Sequence, residues 1–411
     1  MDVSINYPWG NHVIPGPPPA YRASPGWDFG TPPAGWGVPL RGGGFGGYWR
    51  LHLGEDLRLF HRLGIKAVRF ALLFNGLLYG VNNDIPTQSA PSAQWEFRPV
   101  ALTERFLQDF RALVTEFASF NTGGIPNLTL MPVIFGFEFV EDPYVNTPPD
   151  RPPRNPDPRN PAQNDYADFF DSNGVRYRAG RRGAVLNIAL RVQDGRTYNQ
   201  VFLDEVVGRL LSEFQPGRPL ANYRNVIHSW DLCGEPEGFT VGPREQTDTR
   251  RPISNVDMLN YLTNGMRLVQ RNAFHATVGF RFLHTIRNWG WHLPHHLEQF
   301  HTYDGERLPR VGVNSPALIG ETATTVNWPD RLGGSPFDPD FRYRGSRAGE
   351  RTIALQDRLE WFEYKGYREV FLWSGGRGAP DNRHRWTSAE QDQVERFARL
   401  GERRRLFERV P

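Results

Sequence analysis

The sequence predicts an α/β fold, and within that class a closed (β/α)8, or TIM, barrel with long decorated βα loops. Three observations carry this reading. Short apolar segments of strand character alternate eight times with segments whose apolar residues recur at the helical period. With 411 residues the chain has room for one large barrel with insertions, and no break in composition demands a second domain, so 1–411 reads as one unit. Finally, two of the strand segments run out onto a glutamate, Glu235 and Glu321, at the strand end that forms the working face of such a barrel.

The elements follow in order. Ile5–Trp9 is a short first strand, and a Gly-, Pro- and Trp-rich loop runs from it to Tyr48. Leu53, Leu57 and Phe60 fall at helical spacing within Leu53–Leu63, and Gly64 supplies a left-handed cap. Ile65–Phe74 is strand two. Thr103–Phe117 is the clearest helix, with Phe106, Leu107, Phe110, Leu113, Val114 and Phe117 on one face. Strand three is Leu128–Phe135, where Pro132 cannot donate to a ladder and so predicts a bulge or distortion.

From about 141 to 198 the pattern breaks into a Pro-rich insertion closed by a hairpin around Asp171–Gly174 (DSNG), too long for a simple connection and placed as a wall or lid. DSNG is read as a turn, because the other ligand positions of a calcium loop are missing. Gln200–Phe214 is helical by spacing, and Asn225–Leu232 is strand four, stopped at Pro236. Ser254 caps a helix to about Ala273, and Thr277–Phe282 is strand five. Leu297–Tyr303 is strand six and Ala317–Glu321 strand seven, the helices around strand six being weakly marked. A helix over Gly349–Tyr364 stops at Gly366, Val370–Trp373 is strand eight, and Thr387–Glu390 opens a last helix.

Bulk properties exclude several classes. With a net charge of +3, and its densest basic run, Glu402–Arg405 (ERRR), read as a solvated helix face, the chain gives no reason to expect nucleic acid. No window holds the roughly 18 apolar residues of a membrane span. The N-terminal MDVSINYPWG has no charged-then-apolar leader, so the chain is expected in the cytoplasm unless a leader was trimmed, which would make it extracellular. A single cysteine, Cys233, forbids an internal disulfide and reads as a small buried apolar residue. His292, His295 and His296 are broken by Pro294 and lack an acidic or Cys companion, so they read as loop histidines, and no metal or organic cofactor is expected.

Two carboxylates on two strand ends, 86 residues apart, suit a two-carboxylate mechanism. Arg69, on a buried strand, needs a partner for its guanidinium. Taken in order, Val68-Arg69-Phe70, Trp230 to Pro236, His301-Thr302-Tyr303, Ile319-Gly320-Glu321 and Trp373 resemble the motifs of the clan A glycoside hydrolases, most closely the family 5 cellulases and mannanases. The resemblance spans roughly residues 4 to 400. It implies that Glu235 is the general acid/base and Glu321 the nucleophile, that Arg69 and Tyr303 hold Glu321 ionised, and that Trp373 floors the sugar site. Trp9, His301 and Glu138 complete the substrate-binding set.

The implied activity is retaining hydrolysis of β-linked oligo- or polysaccharides without a cofactor, with a glycan-binding barrel or a transglycosylase as alternatives. Retention requires carboxyl groups about 5–5.5 Å apart. Two positions depart from the family. Gly234 stands where members carry an Asn that binds the sugar 2-hydroxyl, and Phe137 and Glu138 occupy the region where many carry a His after strand three. Subunit number, linkage and endo or exo action are not encoded in any of these motifs.

Overall fold

The computed structural model describes residues 1–7, 48–72, 81–83, 99–102, 104–134, 168–170, 176–178, 195–238, 240–241, 253–280, 293–294, 297–302, 311, 316–323, 326–327, 352–353, 355–373 and 392–398. Eight parallel strands close into a barrel: β1 (Asp2–Tyr7), β2 (Ala67–Ala71), β3 (Thr129–Val133), β4 (Trp230–Gly234), β5 (Ala276–Phe280), β6 (Gln299–His301), β7 (Leu318–Ala323) and β8 (Glu369–Trp373). Each pairs with its neighbours in sequence, and β8 returns to β1 through Val3↔Val370 and Ile5↔Leu372. Closure leaves the barrel sheet itself without an edge.

The helices lie where the periodicity places them. α1 (Tyr48–Arg62) and α2 (Glu104–Ala118) bury Leu53, Leu57 and Phe60, and Phe106, Phe110 and Phe117, against the outside of the barrel. Each fully buried apolar side chain of that size contributes about 1.5–3 kcal/mol. Gly64 ends α1 at φ +79°, where a residue with Cβ would be strained. The third helical element, α3, is composite: Tyr198–Val201, a π stretch Phe202–Gly208, then Arg209–Ser212. α4 (Asn255–Arg271) and α5 (Leu355–Lys365) follow β4 and β7, and a further helix covers 392–398. The described residues between β5 and β6, and between β6 and β7, carry no helix.

Two apolar clusters divide the core. The large one lies between strands and helices, while Ala67, Met131, Leu318 and Phe371 form a small plug inside the barrel. Beside the plug, at the N-terminal end of the strands, His228 Nε2 meets Glu369 Oε2 at 2.8 Å, and Glu369 also accepts from Ser4 Oγ. The Glu369 charge pushes the imidazole of His228 up, against the burial that would lower it, and His228 and Ser4 hold the Glu369 carboxyl below its usual range despite burial.

Several element bounds differ from expectation for identifiable reasons. Asn225 and Val226 belong to a 3-10 turn, Ala221–Val226, so β4 starts only at Trp230. Val226 and Ile227 are buried there, and Ile227 makes only an isolated parallel bridge to Leu130 ahead of the strand. Ile353 pairs in a short antiparallel ladder with Val326, and α5 therefore starts at Leu355, not near Gly349. Pro132 keeps regular register with Phe70 on β2, and the distortion falls on its other side: the offset between β3 and the β4 segment grows by one residue between Leu130↔Ile227 and Val133↔Asp231. The hairpin of the Pro-rich insertion is present as Asp168–Phe170 paired antiparallel with Arg176–Arg178. His292, His295, His296 and the DSNG turn lie outside the described residues.

Candidate active site

Alternation along the strands turns a set of polar side chains into the barrel, above the apolar plug. A buried polar group must find a partner or cost several kcal/mol. Here most of the partners are side chains of other strands. Arg69 on β2 is 5% exposed and donates from Nε to Asp231 Oδ2 at 2.8 Å, from Nη1 to Asn6 Oδ1 at 2.9 Å, and from Nη1 to Glu321. The carboxylates of Asp231 and Glu321 hold its pKa above the ordinary guanidinium value, against the opposing effect of burial. Asn6 is fixed in turn by donating Nδ2 to the Gly320 carbonyl at 2.9 Å.

Bulges aim the two glutamates. On β7 the register with β8 shifts between Ile319 and Thr322, so Ile319 and Thr322 both face the outer helices while Gly320 and Glu321 fall on the inner side. Arg358 of α5 fastens this arrangement from behind, donating Nε to Thr322 Oγ1 at 2.7 Å and Nη2 to the Thr302 carbonyl at 2.8 Å. On β4 the register with β5 shifts between Asp231 and Gly234. Leu232 and Cys233 join the outer core, and Gly234 comes round against Arg69, where a Cβ would lie 3.0 Å from Nη2. Cys233 is buried, and burial together with the charge of Asp231 pushes its thiol well up, which suits a packing residue and not a nucleophile.

Glu235 follows directly, at φ +51°, a left-handed conformation uncommon for a residue with a side chain. Its N–H donates to the Gly279 carbonyl at 2.9 Å, and Pro236 then leads into a 3-10 turn, Pro236–Gly238. Strain of this kind gathers at sites where a side chain must be held in one place. Glu235 Oε1 lies 3.1 Å from His301 Nδ1, and Glu321 Oε2 lies 3.6 Å from the same nitrogen. One atom each from Glu235, His301 and Glu321 lie within 4.8 Å of one another. The three could in size surround a cation, but the guanidinium bonded to Glu321 already supplies the positive charge there. Glu235 is the more open of the pair, 24% exposed against 10% for Glu321.

No family model matches the sequence, and no curated protein matches it. Among solved structures, a β-1,4-mannanase from the common sea hare Aplysia kurodai aligns over 96% of this chain and 92% of its own, at 12% identity and a TM-score of 0.50. A β-1,4-D-mannanase from Cryptopygus antarcticus aligns over 86% and 85%, at 11% identity and 0.48, and a β-glucosidase from Pyrococcus furiosus over 98% and 95%, at 10% identity and 0.47. The fold shared with the Aplysia kurodai mannanase is the closed (β/α)8 barrel. At such identity the likeness speaks for the fold alone.

Within the barrel, four of the residues singled out by sequence come together: Arg69, Glu235, His301 and Glu321. Trp373 closes β8 with its backbone opposite Ala323. Trp9, Glu138 and Tyr303 lie outside the described residues. Sequence reasoning missed Asn6, Asp231 and Gln299. Gln299 Nε2 is 3.0 Å from Asp231 Oδ2 and 3.0 Å from His301 Nε2. A signal existed: polar residues at alternate positions of otherwise apolar strands, Ser4 and Asn6, Gln299 and His301, mark inward positions.

Proposed function

We propose that this chain is a retaining glycoside hydrolase acting on β-linked oligo- or polysaccharides, with Glu321 as nucleophile and Glu235 as general acid/base. The observation that carries the reading is the pair itself: carboxylate oxygens of Glu235 and Glu321 within 4.8 Å, at the C-terminal ends of two barrel strands, with Arg69 bonded to one of them. That separation suits direct attack, whereas an inverting pair stands about 6.5–9.5 Å apart to admit water.

In the first step an oxygen of Glu321 forms a bond to the anomeric carbon, the glycosidic C–O bond breaks, and the proton of Glu235 passes to the departing oxygen. Arg69 stabilises the carboxylate before attack and after release. In the second step Glu235, now ionised, takes a proton from water as that water displaces Glu321 from the anomeric carbon. His301 orients Glu235 through Nδ1, and Trp9, Glu138, Tyr303 and Trp373 belong to the sugar-binding surface.

The test is release of reducing sugar from mannans, glucans, xylans and aryl glycosides by wild type and by Glu235→Gln and Glu321→Gln. Turnover is expected to fall by at least about 10³-fold in either variant, with circular dichroism unchanged. Full activity in a folded variant contradicts the assignment. No product from any substrate, with glycan binding retained, would leave a binding barrel in its place.

A further inference from the structure

The imidazole of His301 lies between the two glutamates and is itself a base, so it competes for the proton that Glu235 must give. Burial disfavours the imidazolium, but the charges of Glu321 and Glu235 outweigh that and Arg69's opposition, drawing the ring toward protonation. A protonated His301 would hold the site's proton in the wrong place. The geometry around its other nitrogen bears on this directly.

Gln299 reaches His301 from two residues back along β6, with Nε2 3.0 Å from His301 Nε2. The amide cannot be turned the other way. Its Nε2 is also 3.0 Å from Asp231 Oδ2, an acceptor held by Arg69, and a flipped amide would set carbonyl oxygen against carboxylate oxygen. The two amide hydrogens are therefore directed at Asp231 and at His301 Nε2, which must carry a lone pair to receive one. Nδ1 then carries the hydrogen, aimed at Glu235 Oε1 at 3.1 Å.

The pocket is built for this side chain. Gly279 on β5 and Gly320 on β7 flank it, and a Cβ at either would collide with Gln299, or at Gly279 with His301 as well. Gln299 and His301 are both buried.

We propose that Gln299 is a positioning residue that holds His301 as the neutral Nδ1–H tautomer, so that the proton of the two-glutamate site stays with Glu235. The groups facing the imidazole are Glu235, Glu321 and Arg69, with Asp231 acting through the amide. An imidazolium would turn Nε2–H against the amide N–H. The inference rests on the hydrolase reading for its purpose, but not for its measurement.

The experiment is nitrogen-15 NMR of histidine-labelled full-length protein, with the His301 signals assigned by their loss in His301→Asn. Wild type is expected to show Nδ1 protonated and Nε2 bearing a lone pair at neutral pH. In Gln299→Glu, which offers an acceptor in place of the donor, both nitrogens should be protonated at the same pH. If the protein turns over a glycan, the alkaline limb of its kcat/KM profile should move to lower pH in Gln299→Glu, because an imidazolium strips Glu235 of its proton, while KM changes little. A wild-type spectrum showing an imidazolium, or the Nε2–H tautomer, at His301 overturns the proposal even if Gln299→Glu does not fold. Since the spectrum needs no turnover, a protein that cleaves no glycan would refute the hydrolase reading and leave the tautomer result standing.

Discussion

Replacing Arg69 by methionine keeps the volume of the side chain and removes the charge that Asp231 and Glu321 share. Asp231 is fully buried and Glu321 nearly so, and the guanidinium contacts both as well as Asn6. Stripping one partner from a buried ion pair costs about 3–5 kcal/mol. Two residual contacts pull the figure to the lower end: Asp231 keeps the Gln299 amide at 3.0 Å and the Cys233 N–H at 3.2 Å. The expected loss is about 3 kcal/mol at neutral pH. Urea unfolding followed by tryptophan fluorescence measures it. Adding Asp231→Asn should recover part of the loss, a non-additivity expected for groups in contact. An Arg69→Met protein within about 0.5 kcal/mol of wild type would refute the claim that this guanidinium neutralises a buried acidic pair.

At the other end of the barrel, His228 and Glu369 predict a pH window. The raised imidazole contributes stability fully below its ordinary value of 6.5, lost as pH rises through the folded value, and the lowered carboxyl contributes above 4.5, lost as pH falls through its folded value. The destabilisation caused by His228→Gln should therefore be largest between those values, and a flat deficit across thermal melts from about pH 3 to about pH 9 would contradict the pairing. Arg358→Met removes the bonds to Thr322 and Thr302 behind the Glu321 bulge and should lower unfolding stability by about 2–3 kcal/mol, with wild-type stability as the contrary result. Gly279→Ala places a methyl group into the His301 ring, so the protein should lose about 1–3 kcal/mol, measurable by urea unfolding; an unchanged midpoint would mean the imidazole does not lie against β5.

The barrel was legible because its strands and helices differ in period, and because α2 concentrates its aromatic residues on one face. Glu235 and Glu321 were legible as carboxylates at strand ends, and Arg69 as a buried charge in need of partners. The partners themselves were harder to read. Asp231 sits among apolar residues whose alternation is broken by the β4 bulge, and Gln299 gains its meaning only once β4 and β5 are brought beside β6. The bulge on β7 is invisible in the sequence for the same reason: Gly320 becomes necessary only when the Gln299 side chain occupies the space its Cβ would take. The π stretch in α3 has no local marker, since Phe202, Leu203, Val206 and Val207 are as well spaced for an ordinary helix.

The central claim is that Glu321 attacks the sugar. Trapping with a panel of 2-fluoro glycosides, followed by peptide mass mapping, tests it most directly. The label is expected on Glu321, with the reactive glycoside naming the sugar. A label on any other carboxylate, or hydrolysis with inversion at the anomeric carbon and no trapped intermediate, would contradict it.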